Sequence, residues 1–274
     1  MKTNIVILSI CAALPGLALN QESWVKSTGS GSACTFVAPC ATFQAALGAT
    51  SPGGIVRAID TADYGPMFIT QAVTIDGNGT GASIAAAVNT IAIYVQIGVS
   101  GAVVIRNLVL TGGGTLNGIQ LYSSAVIENV SISGTWTGAG IVCAANGNSA
   151  GVTCSLRNVS ITGLGEGVTV AGASASVRDS LLQGNQIGIF VTANTAGIPG
   201  TAIIERSQIS FNGSYGIAVD GSSGPAHLWY SDCVVTGNST GLNPINGGQI
   251  ITFRTNMLTG NTADGATPFS ISLK

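Results

Sequence analysis

Four arginines, Arg106, Arg157, Arg178 and Arg254, stand at the same place in a phrase that the chain repeats, each directly after an apolar residue. Guanidinium groups set in a row grip carboxylates through paired N–H donors, so such a column would dock an acidic polysaccharide. Other copies put Glu128 and Glu205 at that place, with Asp179, Arg206 and Asp232 at the adjoining corner. The plainer reading is therefore a solvated ladder of mutual pairs, each worth about 0–1 kcal/mol. Tyr122 and Phe190 offer rings on which a sugar could stack; Trp136 is either a third such ring or a lid over its coil. Asp60, Asp63 and Asp76 sit at turns near Tyr64, where aspartate side chains shape the backbone more often than they hold calcium. His227 is the sole imidazole and no CxxC occurs, so neither a zinc site nor any other cofactor is expected.

The elements that place these residues are repeats. Ile105, Ile127, Leu156, Val177, Ile204, Tyr230 and Phe253 open seven copies, separated by 21 to 29 residues. Gly118, Gly140, Gly167, Gly188, Gly216, Gly241 and Gly265 form a second marker that drifts in step, which is the signature of a solenoid. Within each copy apolar residues alternate in short runs, such as Ile119 and Leu121 or Ile217 and Val219, which is the period of a strand. Glycine is too frequent for helices. Each copy then wraps once through about three strands and stacks in parallel on the next. Asn185, Asn212, Asn238 and Asn261 recur at one corner, where asparagine tolerates left-handed backbone and its amide can bond to the copy above. Asn212 and Asn238 fall in glycosylation sequons, yet an inward ladder position makes a poor acceptor.

These columns resemble those of the right-handed parallel β-helix proteins with the pectin-lyase-like fold, over roughly residues 54–274. The resemblance implies an all-β, right-handed parallel β-helix solenoid of about nine coils. It says little of activity, because one fold hosts lyases, hydrolases, esterases, epimerases and proteins without catalysis. In enzymes of this fold the site lies along one strand face. Hydrolases there need paired carboxylates, and pectate lyases hold calcium with acidic groups and use Arg or Lys as base. The outward residues after each repeat glycine are Gln120, Tyr122, Val142, Thr169, Phe190, Thr192, Ala218, Asp220 and Asn243. Asp220 is the one carboxylate among them, which speaks against catalysis.

Residues 1–18 read as a secretory signal: Lys2, an apolar run from Ile5 to Leu14, then Gly16-Leu17-Ala18 before the cut. The run is too short for a stable membrane anchor. Residues 19–53 read as an N-terminal cap with a short helix at 42–47, Thr42 as its N-cap and Phe43 and Leu47 on one face. An amphipathic helix there would cover the open end of the solenoid. Cys34 and Cys40 are expected to pair in the oxidising destination that a signal implies. Cys143 and Cys154 either close a second bridge around the longest insertion or remain two core thiols. Cys233 reads as core.

Only 7% of residues are charged and the net charge is −2, which excludes a basic nucleic-acid surface. Three readings follow. The chain is a secreted, non-catalytic β-helix that binds polysaccharide or acts at a cell surface; or a polysaccharide lyase, hydrolase or epimerase; or a structural protein that assembles end to end.

Overall fold

The computed structural model describes residues 19–270 apart from 97, 99, 115, 148–150 and 254. The signal expected at residues 1–18, Arg254 and the end of the expected last strand at 271–273 lie outside the described residues. No helix among the described residues is long and apolar enough to cross a membrane.

Each coil runs through three legs. Two legs belong to one 16-stranded sheet and the third to a 9-stranded sheet, so one strand per coil gives nine coils. Every strand pairing is parallel, and neighbours are consecutive coils. In Val103–Gly114, Ala125–Trp136 and Thr153–Thr162 one strand serves both legs of the first sheet. It turns the corner at a single left-handed residue: Asn107 (φ 58), Asn129 (φ 54) and Asn158 (φ 51). Asparagine tolerates that region where most side chains do not. The coils of 54–101 are less regular, and Ser83–Ala85 is a strand there that periodicity alone does not reveal.

The expected inward columns run through the register. Ile105, Ile127, Leu156, Val177, Ile204 and Tyr230 stack on the first leg; Leu110, Ile132, Ile161, Leu182, Ile209 and Val235 stack on the second, all buried. Each such side chain contributes about 1.5–3 kcal/mol relative to exposure. The column breaks at the last copy, where Tyr230 pairs with Thr252 and not with Phe253. Asn256 bonds to the Cys233 N–H, so four steps separate Thr252 from Asn256 where three separate Tyr230 from Cys233. The extra residue is taken up at the corner.

The asparagine ladder is present, with one correction to its backbone. Each Oδ1 accepts the N–H of the residue one coil earlier, from Leu164 to Asn185, Asn185 to Asn212, Asn212 to Asn238 and Asn238 to Asn261. Each Nδ2 donates to a carbonyl of the earlier coil, namely those of Ile161, Leu182, Ile209 and Val235. The ladder residues themselves are not left-handed. That conformation falls one residue before each of them, at Gly184, Phe211, Gly237 and Gly260, and at Gly163 before Leu164 in the coil that precedes them.

At the N-terminal end a short helix packs against the first strands. Helix Phe43–Ala49 buries Phe43, Ala46 and Leu47, and the Thr42 hydroxyl caps it by accepting the Ala45 N–H at 3.1 Å. Strand Asn20–Val25 pairs with Thr50–Ala58, which runs through the boundary expected at 53/54.

Both bridges form, Cys34–Cys40 and Cys143–Cys154. Cys233 is free and buried, and burial pushes its thiol up to about 11. Unreduced native protein lacking residues 1–18 should therefore show no reactive thiol, and denaturant without reductant should expose Cys233 alone. Peptide mapping that finds Cys233 in a bridge would refute this.

Candidate functional site

The three uncharged or acidic candidates, Tyr122, Phe190 and Asp220, lie on the outer face of the nine-stranded sheet. Its central outward column runs in register through Phe68, Tyr94, Gln120, Val142, Thr169, Phe190, Ala218 and Asn243. At the N-terminal end the Phe68 and Tyr94 rings stack at 5.0 Å, and Tyr122 meets Tyr94 edge-on at 5.7 Å. The Gln120 amide donates to the Tyr122 hydroxyl. Phe68 and Tyr94 escaped the sequence reading because their coils lack the glycine marker; the signal was the pair of short aromatic strands Met67–Ile69 and Ile93–Val95. Phe190 stands apart, between Thr169 and Ala218, so no neighbouring ring occupies its faces.

A second carboxylate shares this face. Glu166 precedes the marker Gly167 and was not counted, yet it opens strand Glu166–Ala171 and registers with Ile187, which registers with Tyr215. It accepts the Thr169 hydroxyl. Asp220 lies two coils away and five residues further along its strand. That separation is roughly 19 Å, from ~4.8 Å per coil and ~3.3 Å per residue. Paired carboxylates in glycoside hydrolysis stand about 5–10 Å apart. The Asn246 amide and the Ser222 N–H hold Asp220 below the usual carboxylate range, the wrong direction for a proton donor.

The arginines occupy a different face, where the first leg reaches its corner. Arg106, Glu128, Arg157, Arg178 and Glu205 are in register there. Pairing only partly follows the alternation. Arg178 meets Glu205 at 2.9 Å, but Arg106 turns back to Asp76 at 2.9 Å, and Arg157 reaches Asp179 at 3.9 Å. Asp179 accepts the Nε–H and a terminal N–H of Arg206, which holds its pKa below the usual carboxylate range. Arg206 thus separates Asp179 from Asp232 in a groove lined also by Asn158 and Gln208.

Asp60, Asp63 and Asp76 do structural work. Asp60 accepts the Ser27 N–H and hydroxyl and the Tyr64 hydroxyl, and Asp63 accepts the N–H groups of Gly65 and Ala85. Asp76 is buried. Burial raises its pKa, but bonds from the Asn107 amide, the Asn78 N–H and Arg106 outweigh that and hold it below the usual range. Trp136 is the lid and not a sugar platform: it is 1% exposed. His227 packs against Trp229, ring centroids 5.7 Å apart, on a first-leg strand. Among the described residues no group of three or more His, Cys, Asp or Glu is placed to hold a metal ion.

No curated protein matches the sequence. Among solved structures the fold is similar to that of pectate lyase Pel9A, at 13% identity and a TM-score of 0.64, over 94% of this chain and 78% of that one. It is also similar to the A-module of the Azotobacter vinelandii mannuronan C-5 epimerase AlgE4, at 14% identity and a TM-score of 0.49, over 92% of this chain and 89% of that one. At that identity the likeness to the pectate lyase speaks for the fold alone. The family model described as the right-handed β-helix region matches residues 93–263, well over half of the chain, and the protein belongs to that family.

Proposed function

We propose that this is a secreted, non-catalytic β-helix that binds polysaccharide along the outer face of its nine-stranded sheet. The observation that carries the reading is the central outward column, where rings, amides and hydroxyls repeat at the coil spacing with few charges among them. Rings supply apolar area with little conformational entropy to lose, and amides and hydroxyls meet sugar hydroxyls without desolvating a charge. Glu166 and Asp220 are too far apart to share a bond between sugars. The arginine column is a weaker surface for an acidic polymer, because Arg106, Arg157 and Arg178 each already face a carboxylate.

The test is a panel of neutral and acidic polysaccharides, with and without calcium, read both by affinity electrophoresis and by new reducing ends or unsaturated products. Retardation by a neutral glycan without turnover is expected, weakened by Phe190→Ala. Turnover of any polymer would overturn the non-catalytic reading. Binding confined to acidic glycans and lost in the Arg157→Glu, Arg178→Glu double variant would move the site to the arginine column.

A further inference from the structure

Five consecutive coils turn the ladder corner with a left-handed residue, and four of them use glycine: Gly163 (φ 80), Gly184 (φ 65), Gly237 (φ 67) and Gly260 (φ 72). The coil between Gly184 and Gly237 uses Phe211, at φ 56. Among the described residues it is the only aromatic with positive φ. A bulky side chain in that region clashes with its own backbone, and only surrounding structure or function keeps it there. Packing does not explain it, since Phe211 is 60% exposed.

The ring is nevertheless placed. A β-carbon at Gly237 would fall 2.6 Å from the Phe211 ring, so the ring lies along the bare backbone of the next coil. On the side of the previous coil, a β-carbon at Gly184 would meet no atom within 4 Å. One flank of the ring is therefore backed by Gly237 and the side toward Gly184 stands open. Beside the corner the Gln186 amide donates to the Ser214 hydroxyl, and the chain continues into strand Tyr215–Asp220 of the nine-stranded sheet. Residues 183–186, 210–214 and 236–239 of the three coils contain no charged side chain.

We infer that Phe211 is a ring platform for a neutral sugar unit, extending the proposed glycan-binding face around the corner. This rests on the glycan-binding reading and narrows it to uncharged polymers. A sugar ring laid against the open side would sit over Gly184, with Gln186 and Ser214 at its edge to exchange hydrogen bonds with its hydroxyls. An acidic sugar would find no cation at this corner.

The two roles of Phe211, strained backbone and exposed ring, pull a substitution in opposite directions. Phe211→Gly gives the corner the residue that the other four coils use. It should raise the melting temperature by about 2–4 °C and weaken retardation by soluble xylan, galactomannan or β-glucan about tenfold. Phe211→Tyr, which keeps both ring and strain, should preserve binding and melting temperature. Wild-type protein that binds no glycan would sink the glycan reading and this inference together. Glycan binding that survives Phe211→Gly would sink this inference alone. A lower melting temperature for Phe211→Gly would show the ring to be a packing group. Self-association of the wild type that Phe211→Gly abolishes, with glycan binding unchanged, would make the ring a protein contact instead.

Discussion

Replacing Asn212 by leucine is expected to lower the unfolding free energy by about 3 kcal/mol or more. The side chain is 1% exposed and makes three bonds: it accepts the Asn185 N–H and donates to the Leu182 carbonyl and the Asn238 amide oxygen. Leucine fills the space but leaves the Asn185 N–H buried without its partner, at about 1–3 kcal/mol. It also removes one bond each from the Leu182 carbonyl and from the Asn238 amide oxygen, which keeps the N–H of residue 212, at about 0.5–1.5 kcal/mol each. Strain is not the cause, because the left-handed residue at that corner is Phe211. The matched control is Asn129→Gly on the outer corner. Among the described residues the Asn129 amide bonds to Asn107 and Asn158, in solvent, and its φ of 54 would strain a leucine. Glycine there should cost less than about 1 kcal/mol. Equal shifts in denaturant midpoint for the two variants would mean that the inner ladder contributes no more than the outer one.

Asp76→Asn should cost about 3 kcal/mol near neutral pH. This carboxylate, its side chain 4% exposed, joins strand Thr50–Ala58 through Arg57 to strand Val103–Gly114 through Arg106, across the coil between them. Its pKa is held below the usual carboxylate range in the folded state. A depressed pKa means the unfolded chain binds the proton more readily, so the stabilisation is complete above the ordinary range and is lost as pH falls through it. The gap in melting temperature between wild type and Asp76→Asn should therefore narrow from about pH 7 to about pH 3. Asp60, Asp179 and Asp220 are depressed too, but they are common to both proteins and cancel in the difference. A gap that stays constant across that range would show that the charge of Asp76 is not what holds the two strands.

What was legible in the sequence was whatever stacks on its own kind. Ile132, Ile161, Leu182 and Ile209 announce their column because each faces the same neighbour in the next coil. The Thr42 cap and the Cys34–Cys40 pair are read from local spacing, whereas the spacing of Cys143 and Cys154 fits two core thiols as well as the bridge that forms. The rest depended on register, which repeats fix only where they are regular. Phe253 was assigned to the Tyr230 column because an added corner residue is invisible until Asn256 is seen bonded to Cys233. Glu166 was missed because the outward face begins one residue before the glycine used to find it. Phe211 could have been found by aligning the residues before the ladder asparagines. Gly184, Gly237 and Gly260 fill that place elsewhere, but attention falls on the asparagine, whose chemistry is conspicuous, and not on the missing glycine.

The Trp136 lid bears on how the chain finds its frame. Successive coils are so alike inside that a chain threaded one coil out of step would still bury comparable apolar surface, a hazard for any folding landscape built of repeats. Trp136 breaks the degeneracy. A β-carbon at Gly112 would fall 2.6 Å from its ring, so the indole fits over that coil only because Gly112 has no side chain. The same coil then leads from Trp136 directly to Cys143, whose bridge to Cys154 ties the next wrap to this one. Indole and cystine together act as an index mark: they tell an otherwise self-similar helix which turn is which.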